Sequence, residues 1–283
     1  MADSVGMADL RAEVVDPVVK GFALEEYRML QFCNIVKTSA WTNKYQIETA
    51  TELTGGTGSA IKGVPRLANF PYGEVTWTEA EGRLLKHGMD GVISWEDAKT
   101  SNIDVVARSL LRIARAVANS VDTAIWDALV AATTGTQATE AEWDNAVIAN
   151  RNPIQDILNA QEIIALQNYD PYSGGWLLLN PEDFAHLIGN SNVRNSGQFY
   201  TADVTRNGRV GRLLGLNIIV SNVVAVDKAF VITPNCINWY EAKPLSTVLI
   251  EDPGIKYTVR GWQVGVPIVI NPLGCCELTN TAV

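Results

Sequence analysis

The chain has 283 residues, a formal net charge of −9, 47% apolar residues and 19% charged residues. This is globular and not disordered composition, and the acidic balance excludes the basic footprint of a dedicated nucleic-acid binder. No run of about 18 apolar residues is present to span a membrane, and Met1 to Leu10, with Asp3 and Asp9 and no apolar stretch, is not a secretory signal, so folding in a cytosol is expected.

Residues 1–40 read as an arm with a short helix, in which Ala23, Tyr27 and Leu30 share a face. Residues 41–53 alternate: Trp41, Asn43, Tyr45 and Ile47 point one way, Thr42, Lys44 and Gln46 the other. With β-formers dominant, this predicts a strand. Gly55, Gly56, Gly58 and Gly63, then Pro65 and Pro71, exclude regular structure. A second extended run starts at Glu74, with Val75, Trp77 and Glu79 on one face. The two runs predict a two-stranded arm with a flexible tip. An isolated ribbon is marginal in water, so its aromatic residues require another surface, and a neighbouring copy is the natural supplier.

The clearest element is a helix capped by Ser101 or Asn102, with Asp104 placed as in a capping box. Ile103, Val106, Leu110, Ile113, Val117, Val121, Ile125 and Leu129 recur at spacings of three and four, which puts one apolar stripe against a core. The helix should run to about Ala132, roughly 45 Å, with Gly135 ending it. Residues 136–152 read as a polar connection. A helix follows Pro153, carrying Ile154, Ile157, Leu158, Gln161 and Ile164 in register. Trp176–Leu179 is a short apolar run that predicts a buried strand. Asn180 then caps a helix with Pro181 at its first position and Glu182 and Asp183 in its first turn. From Gly208 the chain is mostly extended, with strands expected at Leu216–Val220, Ala229–Thr233, Leu245–Ile250, Lys256–Arg260 and Trp262–Ile270, the last interrupted by Pro267.

The order of these elements resembles that of the Hong Kong 97 (HK97-like) capsid proteins of tailed bacteriophages. Local runs agree: Val92–Ala98 ahead of the long helix, the small residues Ala116, Ala118, Asp122 and Ala124 within it, Trp176–Pro181, and Gly208–Gly211 followed by Gly215–Ser221. The resemblance covers nearly the whole chain. It implies an α+β fold with an N-terminal arm over 1–40, an E-loop hairpin over 41–79, a P-domain with its spine helix over 80–135, an A-domain over 136–243 and return strands of the P-domain over 244–283. Many relatives carry a cleaved scaffold-like region ahead of the hairpin; the 40 residues here are too few for one, so either a separate scaffolding protein or a mature form is expected. Of the founding member's cross-linked Lys and Asn, Lys62 and Asn271 are the nearest formal counterparts, with Glu277 nearby, and no such chemistry is expected.

The function this implies is that of a major capsid protein, a structural and non-enzymatic subunit. It would assemble into pentamers and hexamers of an icosahedral shell in the host cytoplasm and enclose double-stranded DNA through non-specific contact. Scaffolding, portal and decoration proteins would be further partners, with no membrane involved. The nearest alternative is the shell of an encapsulin nanocompartment; a soluble α+β enzyme with an unrecognised site is an alternative of another class. Interface candidates are Trp41, Tyr45, Gly55, Gly56, Lys62, Arg66, Trp77 and Arg83, on the hairpin and its tip. Aromatic residues carry much of the energy of buried contacts.

No catalytic, cofactor or metal site is expected. His87 and His186 are the only histidines and lack ligand-spaced neighbours. Gly55–Gly58 lacks the Lys and the following helix of a phosphate loop. Asp90 with Glu96, and Glu79 with Glu81, are carboxylate pairs that nothing in the sequence places in a pocket. Cys33, Cys236, Cys275 and Cys276 fit neither a zinc nor a CxxC spacing, and free buried thiols are expected. Gly82, Gly88 and Gly91 are expected to serve as flexible joints of the second hairpin strand.

Overall fold

A computed structural model of the chain describes residues 12–47, 65–69, 78–100, 105–190, 193 and 212–282. In chain order the elements are α1 (Ala12–Glu26), β1 (Asn34–Lys37), β2 (Thr42–Ile47), β3 (Thr78–Arg83), β4 (Leu85–Ser94), α2 (Trp95–Thr100) and α3 (Val105–Ala132). They continue with β5 (Gly135–Ala138), α4 (Pro153–Leu166), β6 (Trp176–Leu179), α5 (Pro181–Gly189), β7 (Arg212–Leu213) and β8 (Leu216–Val220). The last four are β9 (Lys228–Ile232), β10 (Ile237–Asp252), β11 (Lys256–Val269) and β12 (Cys275–Thr279). The chain divides into one unit of residues 1–43, 83–127 and 239–268 and a second of residues 44–82, 128–238 and 269–283.

In the first unit, the apolar stripe read from the sequence is the buried face of α3: Leu110, Ile113, Val117, Val121 and Ile125 are all inaccessible. The helix has 28 residues, about 42 Å. It stops at Ala132 as expected, with the Thr133 N–H making the last helical bond to the Leu129 carbonyl, which the Thr133 hydroxyl also reaches. Gly135, expected to end the helix, opens β5. Its cap at Ser101 or Asn102 lies outside the described residues. The arm helix differs from expectation. It spans Ala12–Glu26, where Val15, Val19 and Ala23 bury one face at four-residue spacing, and Leu30 falls instead in a separate 3-10 turn, Met29–Gln31.

A four-stranded sheet in the order β1-β10-β11-β4 belongs to this unit. β11 is one continuous strand, although Pro267 was expected to interrupt it. Its ladder with β4 ends at Gly265↔Leu85, two residues before Pro267, so the missing N–H costs no rung there. Glycines let the sheet meet α3. A Cβ on Gly91 would lie 2.7 Å from Ile113 Cδ1, and one on Gly261 2.6 Å from Ile113 Cγ2. At Gly88 a Cβ would come within 2.9 Å of Trp262 Cβ. Gly88 and Gly91 are therefore close-packing positions and not the joints expected from sequence.

The second unit holds a six-stranded mixed sheet in the order β5-β12-β9-β6-β8-β7, and β2 and β3 form a separate two-stranded sheet. Trp176–Leu179 is the expected buried strand, parallel to β8 and antiparallel to β9. Asn180 caps α5 as expected, its Oδ1 accepting the Glu182 N–H at 3.0 Å. The two-residue turn Leu214–Gly215 joins β7 to β8 with φ of 52° and 83°; a Cβ on Gly215 would also meet the Tyr172 carbonyl at 2.6 Å. Two strands were not expected. β5 lies in the stretch read as a polar connection, and β12, in the stretch read as return strands of the P-domain, pairs parallel with β5 and antiparallel with β9 in this sheet. Cys276 and Leu278 of β12 join Ile157, Ile164, Leu177, Leu179 and Val231 in its core.

Gly91→Ala should lower the unfolding free energy by about 1–3 kcal/mol, because the new Cβ would lie 2.7 Å from Ile113 Cδ1 and the buried isoleucine would have to shift. Gly189→Ala, at a helical position with nothing within 4 Å of the new Cβ, should be nearly neutral. Urea unfolding of both variants tests this.

Candidate functional site

Four of the expected interface residues, Trp41, Tyr45, Arg66 and Arg83, are among the described residues. Trp41 precedes β2, is 68% exposed and accepts the Leu84 N–H on its carbonyl at 3.0 Å. Tyr45 is half-buried in β2, whose accessibility alternates along the strand as the sequence pattern required. Arg66 lies in an exposed turn and Arg83 is exposed at the end of β3. Lys44 Nζ sits 3.4 Å from Glu81 Oε1 in an open ion pair. Gly55, Gly56, Lys62 and Trp77 lie outside the described residues. Glu277, named beside Asn271, is buried and bound to Lys228 Nζ at 2.7 Å.

The carboxylates considered as pairs resolve differently. Asp90 faces Arg260 across β4 and β11, with contacts of 2.8 and 2.7 Å to the two guanidinium nitrogens. The hydrogen bond from Arg260 holds the Asp90 carboxyl below its usual range. Beside this pair, Lys243 Nζ lies 4.5 Å and Lys86 Nζ 5.8 Å from the centre of the Trp262 ring. Neither lysine forms an ion pair within 4 Å among the described residues, though the charge of Lys86 also helps to hold the Asp90 carboxyl down. His87 is buried, its Nδ1 2.8 Å from Ser120 Oγ and its ring beside Trp239; burial pushes its pKa down. Cys236, Cys275 and Cys276 are buried free thiols as expected, and Cys33 is partly exposed. Among the described residues no three acidic, cysteine or histidine side chains come together as metal ligands.

The polar cluster that the sequence did not reveal is a clamp on the arm. Asp122, on the buried side of α3, accepts the Arg28 N–H at 3.0 Å and the Met29 N–H at 3.2 Å. Burial pushes its carboxyl up to about 6 against the pull of those two donors. Around it, Arg115 Nε donates to Glu26 at 2.8 Å, and Tyr27 donates to Gln263, which donates in turn to Glu241 at 3.0 Å. Next to the clamp runs an apolar groove of about 410 Å³ lined by Ala23, Tyr27, Leu30, Ile35, Pro244 and Leu245. Such an arrangement holds a chain segment in place. It has neither a nucleophile beside a base nor a donor pair aimed at a reacting atom.

Residues 78–278 match the phage capsid protein family. The chain belongs to that family. Solved structures agree at the level of fold. The virus-like particle from Pyrococcus furiosus is 11% identical, covers 94% of this chain and 98% of its own, and gives a TM-score of 0.63. The capsid of cyanophage P-SCSP1u is 14% identical over 88% of this chain and 86% of its own, with a TM-score of 0.64. A Mycobacterium phage Che8 structure is 18% identical over 86% and 85%, with a TM-score of 0.60. No curated protein sequence matches the chain. The fold of this capsid protein is α+β and HK97-like, as its order of elements implied, and its role is structural.

Asp122→Ala should lower stability by about 1–3 kcal/mol, since two buried N–H groups lose their acceptor, and should speed tryptic cleavage after Arg28. Asp122→Asn checks the titration. The folded carboxyl lies above its unfolded value of about 3.9, so its contribution is full below that value and lost as pH rises through about 6. On acidification from about pH 7 to about pH 4, the wild type should therefore gain stability relative to the Asn variant by urea unfolding.

Proposed function

We propose that this capsid protein assembles with copies of itself into pentamers and hexamers of an icosahedral shell that encloses double-stranded DNA, formed in the host cytoplasm and lacking enzymatic activity. The observation that carries this reading is the family match over residues 78–278. The proposed parts are the arm over 1–40, the hairpin over 41–79, the P-domain with α3 over 80–135, the A-domain over 136–243 and the return segment 244–283. The proposed contact surface is the hairpin: Trp41, Tyr45, Arg66 and Arg83, with Gly55, Gly56, Lys62 and Trp77 on the same segment. An indole as exposed as that of Trp41 supports it, because large aromatics are the anchors of buried interfaces. Head-to-tail contacts of this kind close into rings and then into shells. Scaffolding, portal and decoration proteins are proposed as partners, and packaged DNA as a non-specific one. No helix among the described residues is long and apolar enough to cross a membrane.

Likeness to a virus-like particle favours a second reading, a nanocompartment shell that holds protein cargo. Negative-stain electron microscopy and light scattering of the expressed protein, alone and with a scaffolding protein, test both. Closed shells or capsomer-sized rings are expected, and the nucleic acid or protein recovered inside them separates the two readings. A monomer at high concentration under both conditions would overturn both and favour the enzyme alternative. Trp41→Ser should leave the circular dichroism of the subunit unchanged and abolish or strongly reduce particle formation.

A further inference from the structure

Three segments of the second unit converge on one buried carboxyl. Asp183 stands in the first turn of α5 and is 0% exposed. Asp227 comes from the turn before β9 and Thr281 from the tail after β12, and both lie close enough to Asp183 to act on its carboxyl. Backbone hydrogen bonds tie the tail down. The Thr281 N–H donates to the Asp227 carbonyl at 3.4 Å, the Thr281 carbonyl accepts the Trp143 N–H at 2.8 Å, and the Asn280 carbonyl accepts the Thr139 hydroxyl. Thr281 is itself 0% exposed.

Counting donors decides what this cluster requires. With Asp183 ionised its oxygens only accept, and among the described residues the side-chain donors beside them are the Thr281 hydroxyl and His186. Among the described residues no group makes a well-formed hydrogen bond to either Asp183 oxygen, to Asp227 Oδ1 or to the Thr281 hydroxyl. A proton on Asp183 supplies a further donor and removes a charge from a fully buried position beside the half-buried Asp227. Of the groups beside it, the Thr281 hydroxyl, as a donor to the carboxylate, and His186, when charged, oppose that proton, while Glu182 and Asp227 favour it. Burial is the largest influence and pushes the Asp183 carboxyl up to about 6.

We infer that Asp183 carries a proton directed at Asp227 and Thr281, and that this proton is an acid-set lock on the C-terminal strap Thr279–Ala282. The sign follows from linkage. The folded carboxyl lies above its unfolded value, so the lock is complete at low pH and is lost as pH rises through about 6. Above that, the strap opens more often than the sheet on which it lies. The lock is independent of shell assembly and can be read on the unassembled subunit.

Hydrogen exchange of the full chain at about pH 5 and about pH 7.5, corrected for intrinsic rates, tests this. Protection of the Trp143 and Thr281 amides should fall about tenfold or more at the higher pH, in line with at least one unit of titration. Asp183→Asn, which keeps a donor and carries no charge, should hold the strap equally at both values. Thr281→Val, a second variant that removes only the hydroxyl, should weaken protection at low pH. Equal protection of the wild type at both values would overturn the lock. So would a strap that loosens at low pH in Asp183→Asn, or one that calcium chloride tightens at high pH in the wild type alone, since a cation and not a proton would then balance the carboxylates.

Discussion

The approach of β4 and β11 to α3 at Ile113 is the contact on which the first unit depends. An isoleucine side chain fits there only because the positions facing it, Gly91 and Gly261, have no Cβ. Any larger residue would lift the sheet by more than a close-packed interior accommodates. With the sheet this close, His87 of β4 reaches Ser120 of α3, and Gln263 of β11 reaches Tyr27 at the end of the arm. The polar contacts therefore follow from a packing condition. None of them draws the elements together by itself.

The buried carboxylates of this acidic chain answer a different demand, that of backbone and side-chain donors left without partners. Asp122 and Asp156 each take the place of a missing partner for fixed donors. Asp122 closes the orphan N–H groups of Arg28 and Met29, and Asp156 accepts from Trp143 Nε1 at 2.9 Å and from the Glu140 N–H at 3.3 Å. In both, burial raises the carboxyl while the donors lower it. An unmet buried N–H costs about as much as the desolvation that the carboxylate suffers, so these residues hold connections in place more than they add net stability. Asp183 lacks such donors, and a proton is the simplest substitute.

Periodicity carried the parts of the fold that depend on one segment alone. The stripe from Leu110 to Leu129, the alternation from Thr42 to Ile47, the apolar run Trp176–Leu179 and the Asn180 cap are each written in adjacent residues, and each stands where the pattern put it. Trp41, expected on the face of Asn43 and Tyr45, lies ahead of the strand and is exposed. β5 and β12 were not legible, because Gly-Thr-Gln-Ala has no apolar alternation and becomes a strand only by pairing with Cys276–Thr279. The glycines of β4 read as joints for the same reason: whether a glycine gives freedom or close approach depends on what faces it, and Ile113 is more than twenty residues away. The Asp122 clamp was half legible. The aspartate stood out within the small-residue helix, but its partners are backbone groups, which leave no mark in a sequence.

The Trp262 surface shows how this capsid protein keeps positive charge on an acidic molecule without neutralising it. Arg260 is spent on Asp90 through two contacts, a planar fork meeting a carboxylate. Lys86 and Lys243 lie instead over an indole face, which attracts an ammonium but accepts none of its N–H groups in the way a carboxylate does. Their donors stay available. Exposed ion pairs are worth about 0–1 kcal/mol each, so such a surface contributes little to the stability of the single chain. On the proposed reading the same weak contact would be repeated by every copy. A subunit with net charge −9 would then be kept apart from its copies by its overall charge, and joined to them only where local charge and exposed aromatic surface coincide.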